Sequence, residues 1–157
     1  MTQSLDMHAP NAPQPKLGDP PPNPELPQHT VALSTSVSGN TITINGAGSF
    51  SIPVGQAATH CKFTLTDTSG ANVQFDSLDA ADNITTCPTP GSGNGSGQII
   101  GITKENNASP KKAQFTDNNN NQAPMNVSYQ WNFSCDAPYT VEPFDPIISN
   151  GGKSSTF

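Results

Sequence analysis

The sequence predicts a soluble all-β protein, an antiparallel β-sandwich preceded by an extended Pro-rich N-terminal arm. Three observations carry this reading. From Thr30 onward, apolar residues recur with a period of two in short runs, broken by turn residues roughly every 8–12 positions. No stretch shows the apolar period of an amphipathic helix of useful length. Eight of the sixteen prolines fall within residues 1–29.

Those eight are Pro10, Pro13, Pro15, Pro20, Pro21, Pro22, Pro24 and Pro27. Proline fixes φ and removes the N–H that a helix or ladder needs, so the segment favours extended polyproline II and cannot form its own core. It reads either as a disordered tail or as an arm lying along a neighbouring subunit or partner. In the second case Pro20, Pro21, Pro22, Pro24 and Leu26 form the contact set. The domain plan is therefore an arm over 1–29, a sandwich over 30–150 and a short tail over 151–157. The first fifteen residues have no cationic start and no apolar stretch, so they do not read as a signal peptide.

Val31, Leu33, Thr35 and Val37 alternate with small residues, and Ser38-Gly39-Asn40 supplies a turn into Ile42 and Ile44. This predicts a hairpin. Asn45-Gly46-Ala47-Gly48 predicts a second turn, and Phe50, Ile52 and Val54 the next strand, with Pro53 at an edge or strand end. Cys61, Phe63 and Leu65 alternate again. Asp67-Thr68-Ser69-Gly70 predicts a turn, with Val73 and Phe75 on the partner strand. Leu78 to Asn83 has few strand formers and reads as a helical turn. Thr89 to Gly97 reads as a mobile loop, Gln98 to Thr103 as a short strand, and Glu105 to Lys112 as a polar loop. Gln114 to Thr116 pairs briefly before the Asn118–Asn121 loop.

The surest strand is Asn126 to Cys135. Val127, Tyr129, Trp131, Phe133 and Cys135 face inward, and Asn126, Ser128, Gln130, Asn132 and Ser134 face outward. A helix would spread the five large residues around its circumference. Burying the aromatic ones stabilises by about 2–3 kcal/mol each before entropy is charged. Tyr139 and Val141 open a last strand, followed by Phe144 to Ile148.

Charged residues make up only 11% of the chain, with twelve acids, six lysines and no arginine, for a net charge of −6. Only Lys111-Lys112 are adjacent, which excludes a phosphate-binding surface for nucleic acid. No apolar run approaches the ~20 residues that span a bilayer. Solubility then rests on Asn, Ser, Thr, Gln and Gly, a composition that favours an extracellular or virion surface. The three cysteines Cys61, Cys87 and Cys135 allow three pairings with one thiol left over, or three free buried thiols. Loop entropy favours Cys61–Cys135 over Cys61–Cys87 by only ~1 kcal/mol.

No motif carries catalysis. His60 and Cys61 are neighbours on a strand and point to opposite faces, so they cannot easily share a zinc ion, and no Cys-x-x-Cys is present. No serine stands in Gly-x-Ser-x-Gly, and only His8, His29 and His60 could serve as a base. Asp76, Asp79 and Asp82 are spaced by three and could gather on one side of a turn to bind calcium, but the EF-hand pattern is absent and they read as a solvated acidic loop. A glycosidase pair lacks an aromatic cleft, because the single Trp lies on the core face. Asn83, Asn94, Asn107, Asn126 and Asn132 fit the glycosylation pattern Asn-x-Ser/Thr. Gly91 to Gly97 is Gly-rich but lacks the lysine and helix of a phosphate loop. The residues thus assign no catalytic group, cofactor or metal.

The run Asp145-Pro146-Ile147-Ile148-Ser149-Asn150 resembles the Asp-Pro-x-Ile-x-Asn ending of small bacterial immunoglobulin-like proteins of the DP-EP type. The alternating aromatics before it and the Asp67-Thr68-Ser69-Gly70 segment are similar to theirs. The resemblance covers roughly residues 48–151 and implies an immunoglobulin-like sandwich. It carries no active site to transfer. The arm, the three cysteines and the Gly91–Gly97 loop depart from it.

The resulting expectation is a non-enzymatic structural or assembly protein. The arm would contact a second copy or a neighbouring surface protein. The alternative is a surface module binding glycan or protein through the loops Asp76–Gly97 and Lys104–Ala123.

Overall fold

The computed structural model describes residues 25–87, 91 and 93–154. Pro20, Pro21, Pro22 and Pro24 of the proposed arm lie outside the described residues, and of the contact set only Leu26 lies within them. The described chain forms ten strands: β1 (Gln28–Ser38), β2 (Thr41–Asn45), β3 (Phe50–Ile52), β4 (Thr59–Thr66), β5 (Gln74–Asp82), β6 (Ile99–Glu105), β7 (Lys111–Asp117), β8 (Met125–Ser134), β9 (Thr140–Val141) and β10 (Ile147–Asn150). They build a six-stranded sheet in the order β6-β7-β4-β1-β2-β9 and a four-stranded sheet in the order β3-β10-β8-β5. No helix occurs among the described residues.

The period of two does what the sequence requires of it. Val31, Leu33, Ile42, Cys61, Phe63, Leu65, Ala113 and Phe115 are buried from the large sheet, and Phe75, Leu78, Ala80, Val127, Tyr129, Trp131 and Ile148 from the small one. Alternate residues point away, so each sheet contributes one apolar face to a shared core. Trp131 lies edge-on to Phe63 at 5.8 Å and to Phe75 at 5.2 Å, and Tyr129 edge-on to Phe115 at 5.2 Å. These offset, tilted pairs avoid face-to-face repulsion between ring quadrupoles. The Tyr129 hydroxyl donates to Gly48 O at 2.6 Å, which satisfies the one polar atom that this ring brings into the core. Gly48 must be glycine, because a Cβ there would stand 2.4 Å from the Phe144 ring.

The hairpin β1–β2 forms as the sequence predicts, with Ser38 opposite Thr41 and Gly39 at φ 60°. The third strand ends at Ile52 before Pro53, at a sheet edge, and leaves Val54 exposed.

Several expectations are corrected. The sheets are mixed rather than antiparallel: β1 pairs with β4, β2 with β9 and β3 with β10 in parallel. The cause is the path of the chain. After β2 it crosses at Gly46–Ser49 to β3 in the other sheet, then returns as β4 beside β1, so the two run the same way. A period of two is the same whichever way the neighbour runs. The Asp67–Gly70 turn likewise joins different sheets, since β4 pairs with β1 and β7 while β5 pairs with β8. Asp67 holds this wider corner by accepting from Ser69 N at 3.0 Å, Ser69 Oγ at 2.6 Å and Val73 N at 2.8 Å. Burial raises the Asp67 carboxyl, but these hydrogen bonds and that from Thr35 outweigh burial and hold it below the usual carboxylate range.

Leu78 to Asp82 is strand, not a helical turn. A bulge between Phe75 and Leu78 shifts the alternation by one and hides it from a period count. β7 runs for seven residues and sits between β4 and β6, rather than pairing briefly. The large sheet also begins at Gln28, so His29 belongs to β1 and stacks on Phe50 with centroids 3.7 Å apart.

Candidate functional site

His60 and Cys61 take opposite faces of β4, as the strand period requires. Cys61 is fully buried, while His60 Nδ1 meets Thr116 Oγ1 at 2.9 Å on the outer face of the large sheet. Cys61, Cys87 and Cys135 are all free thiols, so the Cys61–Cys135 bridge is not formed. They occupy separate places: Cys87 Sγ lies 3.5 Å from Ser128 Oγ, and Cys135 Sγ lies 3.2 Å from Tyr139 O. Burial pushes the Cys61 thiol far up, and the nearby Asp117 charge adds to this.

The carboxylates Asp76, Asp79 and Asp82 do not gather. Asp76 is exposed at the bulge, Asp79 faces outward under the Gly-rich segment, and Asp82 lies at the end of the strand. Asp79 is buried and accepts from Gly91 N at 2.9 Å, Gly93 N at 2.6 Å and Asn132 Nδ2 at 2.8 Å. Asp82 accepts from the Ser96 hydroxyl and from Gly97 N. The acids therefore staple the Gly-rich segment onto the small sheet, in place of the expected solvated acidic loop and mobile Gly-rich loop. Glycine suits this role because Gly91 and Gly93 take φ of 89° and 83°, which aim their N–H groups at one carboxylate. On the outer side of β8, Ser128 and Gln130 are also buried, with Cys87 Sγ 3.5 Å from the Ser128 hydroxyl. No group of three or more His, Cys, Asp or Glu side chains able to hold a metal is found among the described residues.

The loops expected to form a binding end are partly strand. Asp76–Gly97 contains most of β5, and Lys104–Ala123 contains the end of β6 and all of β7. Of the five glycosylation patterns, Asn94 and Asn132 have their amides engaged, with Ile99 O and with Asp79. Asn83, Asn107 and Asn126 are exposed.

Two features were not singled out from the sequence. The first is the free edge of the large sheet. β9 and β3 are edges of two and three residues, and β5 is covered by Asn94 and Gly95, whose N–H donates to Ala80 O at 2.8 Å. Among the described residues the remaining uncovered edge is β6, seven residues long, with Ile100 51% and Ile102 39% exposed. The sequence signal was present, since the run Ile99 to Ile102 is apolar on both faces.

The second is a polar knot at one end of the sandwich. Asp117 ends β7 on the inward face and is completely buried. Its Oδ1 accepts from Asn119 N at 2.9 Å and from Asn150 Nδ2 at 2.7 Å, tying β7 to β10 across the two sheets. Asn119, at φ 45°, donates to Pro53 O and Gln56 O and accepts from Gly152 N. Burial pushes the Asp117 carboxyl up to about 6, with the Asp82 charge adding and the Asn119 and Asn150 hydrogen bonds opposing. The signal for this knot was a polar residue at inward positions, Ala113-Phe115-Asp117 and Ile148-Asn150.

The chain matches no protein-family model and no curated protein.

Proposed function

We propose that this chain is a non-enzymatic structural or assembly protein of an extracellular or virion surface, and that its contact surface is the β6 edge together with the N-terminal arm. The open β6 edge carries this reading. A strand at a sheet edge presents unpaired N–H and C=O groups that recruit another strand. Here the other edges are short or covered, and β6 adds Ile100 and Ile102 as side-chain anchors. The bulge at Gly101, φ 65°, interrupts the ladder and limits indiscriminate stacking of copies. The partner is a second copy or a neighbouring surface protein. The placement of His60, Cys61 and the three aspartates on different faces supports a role without catalysis.

The test is light scattering coupled to size exclusion on the full chain, on the double variant Ile100→Lys/Ile102→Lys, and on a chain lacking residues 1–24, which leaves β1 intact. Loss of self-association or partner capture in the double variant supports the reading. Unchanged assembly in both variants refutes it.

A further inference from the structure

We propose that the polar knot at the end of the sandwich is a binding site for a small hard cation of the calcium class, held by the side-chain oxygens of Asp117, Asn150 and Asn121. Three buried oxygens there have no hydrogen-bond partner among the described residues: Asp117 Oδ2, Asn150 Oδ1 and Asn121 Oδ1. They belong to one connected group. Asn150 Nδ2 donates to Asp117 Oδ1 at 2.7 Å, and Asn121 Nδ2 donates to Asn150 O at 3.3 Å and to Ala123 O at 2.7 Å. Both amides spend their N–H groups on oxygen acceptors, which fixes their orientation and leaves the carbonyl oxygens as the orphans.

All three orphans are acceptors. Each is costly to leave bare in the interior. One water has two protons and satisfies only two of them. One proton on Asp117 satisfies only one. A cation satisfies all three and offsets the buried carboxylate charge as well. Oxygen donors without nitrogen or sulfur select calcium-like ions over zinc or copper. Asp82, on the strand across the core, faces Asp117 closely enough to raise its pKa, and adds negative potential at the site. Among the described residues, the other titratable group coupled to Asp117 is the Cys61 thiol on β4, which burial keeps neutral. With one ligating carboxylate and neutral amides, the affinity falls in the weak range, on the order of 10⁻⁴–10⁻³ M, known for extracellular modules. The knot ties β7, β10 and the Pro53–Gln56 turn together, so the ion would act as a strut between the sheets.

The experiment is calcium titration of the full chain by calorimetry and by thermal unfolding, against magnesium chloride at matched ionic strength. Asp117→Asn and Asn121→Ala are measured in parallel. Asn121 is only half-buried, so its variant tests the site even if Asp117→Asn folds poorly. The expected result is one calcium per chain, a rise in unfolding temperature with calcium, and at least tenfold weaker binding in each variant. No calcium-dependent shift in the wild-type chain, or the same affinity in both variants, overturns the site and leaves bound water as the occupant.

Discussion

Replacing Asp117 with Asn should stabilise this protein at neutral pH when no divalent cation is present, although it removes a completely buried, hydrogen-bonded carboxylate. The gain comes from protonation. The unfolded carboxyl titrates near 3.8 and the folded one near about 6. The folded state therefore holds its proton more tightly, and this stabilisation is complete below about pH 3.8 and lost as pH rises through about 6. At about 1.4 kcal/mol per pH unit, the gap corresponds to about 3 kcal/mol lost by pH 8. Asparagine keeps an acceptor oxygen for Asn119 N and Asn150 Nδ2, and places an N–H₂ where Asp117 Oδ2 stood, among orphan acceptors. In chelator at pH 8 the variant should gain about 2–3 kcal/mol, a urea midpoint shift of roughly 1–1.5 M. At pH 4 the difference should shrink toward zero. Asp67, whose pKa is depressed, contributes in the opposite sense, with stability lost as pH falls, but it is common to both chains and cancels. Urea denaturation at pH 4, 6 and 8 measures this. A variant less stable than wild type at pH 8, or a difference independent of pH, refutes the reasoning.

Asp79→Ala should destabilise by about 3–5 kcal/mol, because it leaves two backbone N–H groups and the Asn132 amide without their acceptor. Limited proteolysis should then cut first between Gly91 and Gly97, and an unchanged cleavage pattern would show that the staple contributes little. Trp131→Ala should cost about 3–5 kcal/mol through the cavity it leaves between Phe63 and Phe75, read from the urea midpoint. Cys61 should resist a thiol reagent at pH 8 in the folded chain and react only on unfolding; modification at the rate of a small thiol would contradict its burial.

Strand identity and facing were legible in the sequence wherever alternation was unbroken, as in Val127-Tyr129-Trp131 and Cys61-Phe63-Leu65. Alternation failed as a guide at the Asp76–Ser77 bulge, where one extra residue inverts the phase and Ala80-Ala81 lack strand propensity. Partner choice was not legible. Asp67-Thr68-Ser69-Gly70 and Asn45-Gly46-Ala47-Gly48 carry ordinary turn chemistry, yet both change sheets, and nothing local tells a hairpin from a crossing. The candidate sites were hidden for a related reason. Asp79 and Asp117 look like solvated acids in a polar string, and only the tertiary path covers them.

The same acids explain why the exterior suits recognition by shape and backbone rather than by charge. Of twelve acidic residues, Glu25, Asp67, Asp79, Asp82, Asp117 and Asp145 accept hydrogen bonds within the described fold. Of the six lysines, Lys111 is largely buried 4.0 Å from Asp67, while Lys104 lies 4.0 Å from Asp76 in an exposed pair. The surface left over is mostly amide and hydroxyl, and around Ile100 and Ile102 it is apolar. Contacts built on such a surface gain little from long-range attraction, which salt screens within about 10 Å at ~0.1 M. Assembly through the β6 edge should therefore hold nearly constant between ~0.05 and ~0.5 M salt, since its energy lies in ladder hydrogen bonds and buried isoleucine. Sedimentation velocity across that range measures it. A steep loss of association with salt would place the contact on the cationic outer face around Lys62 and Lys112 instead of on the edge.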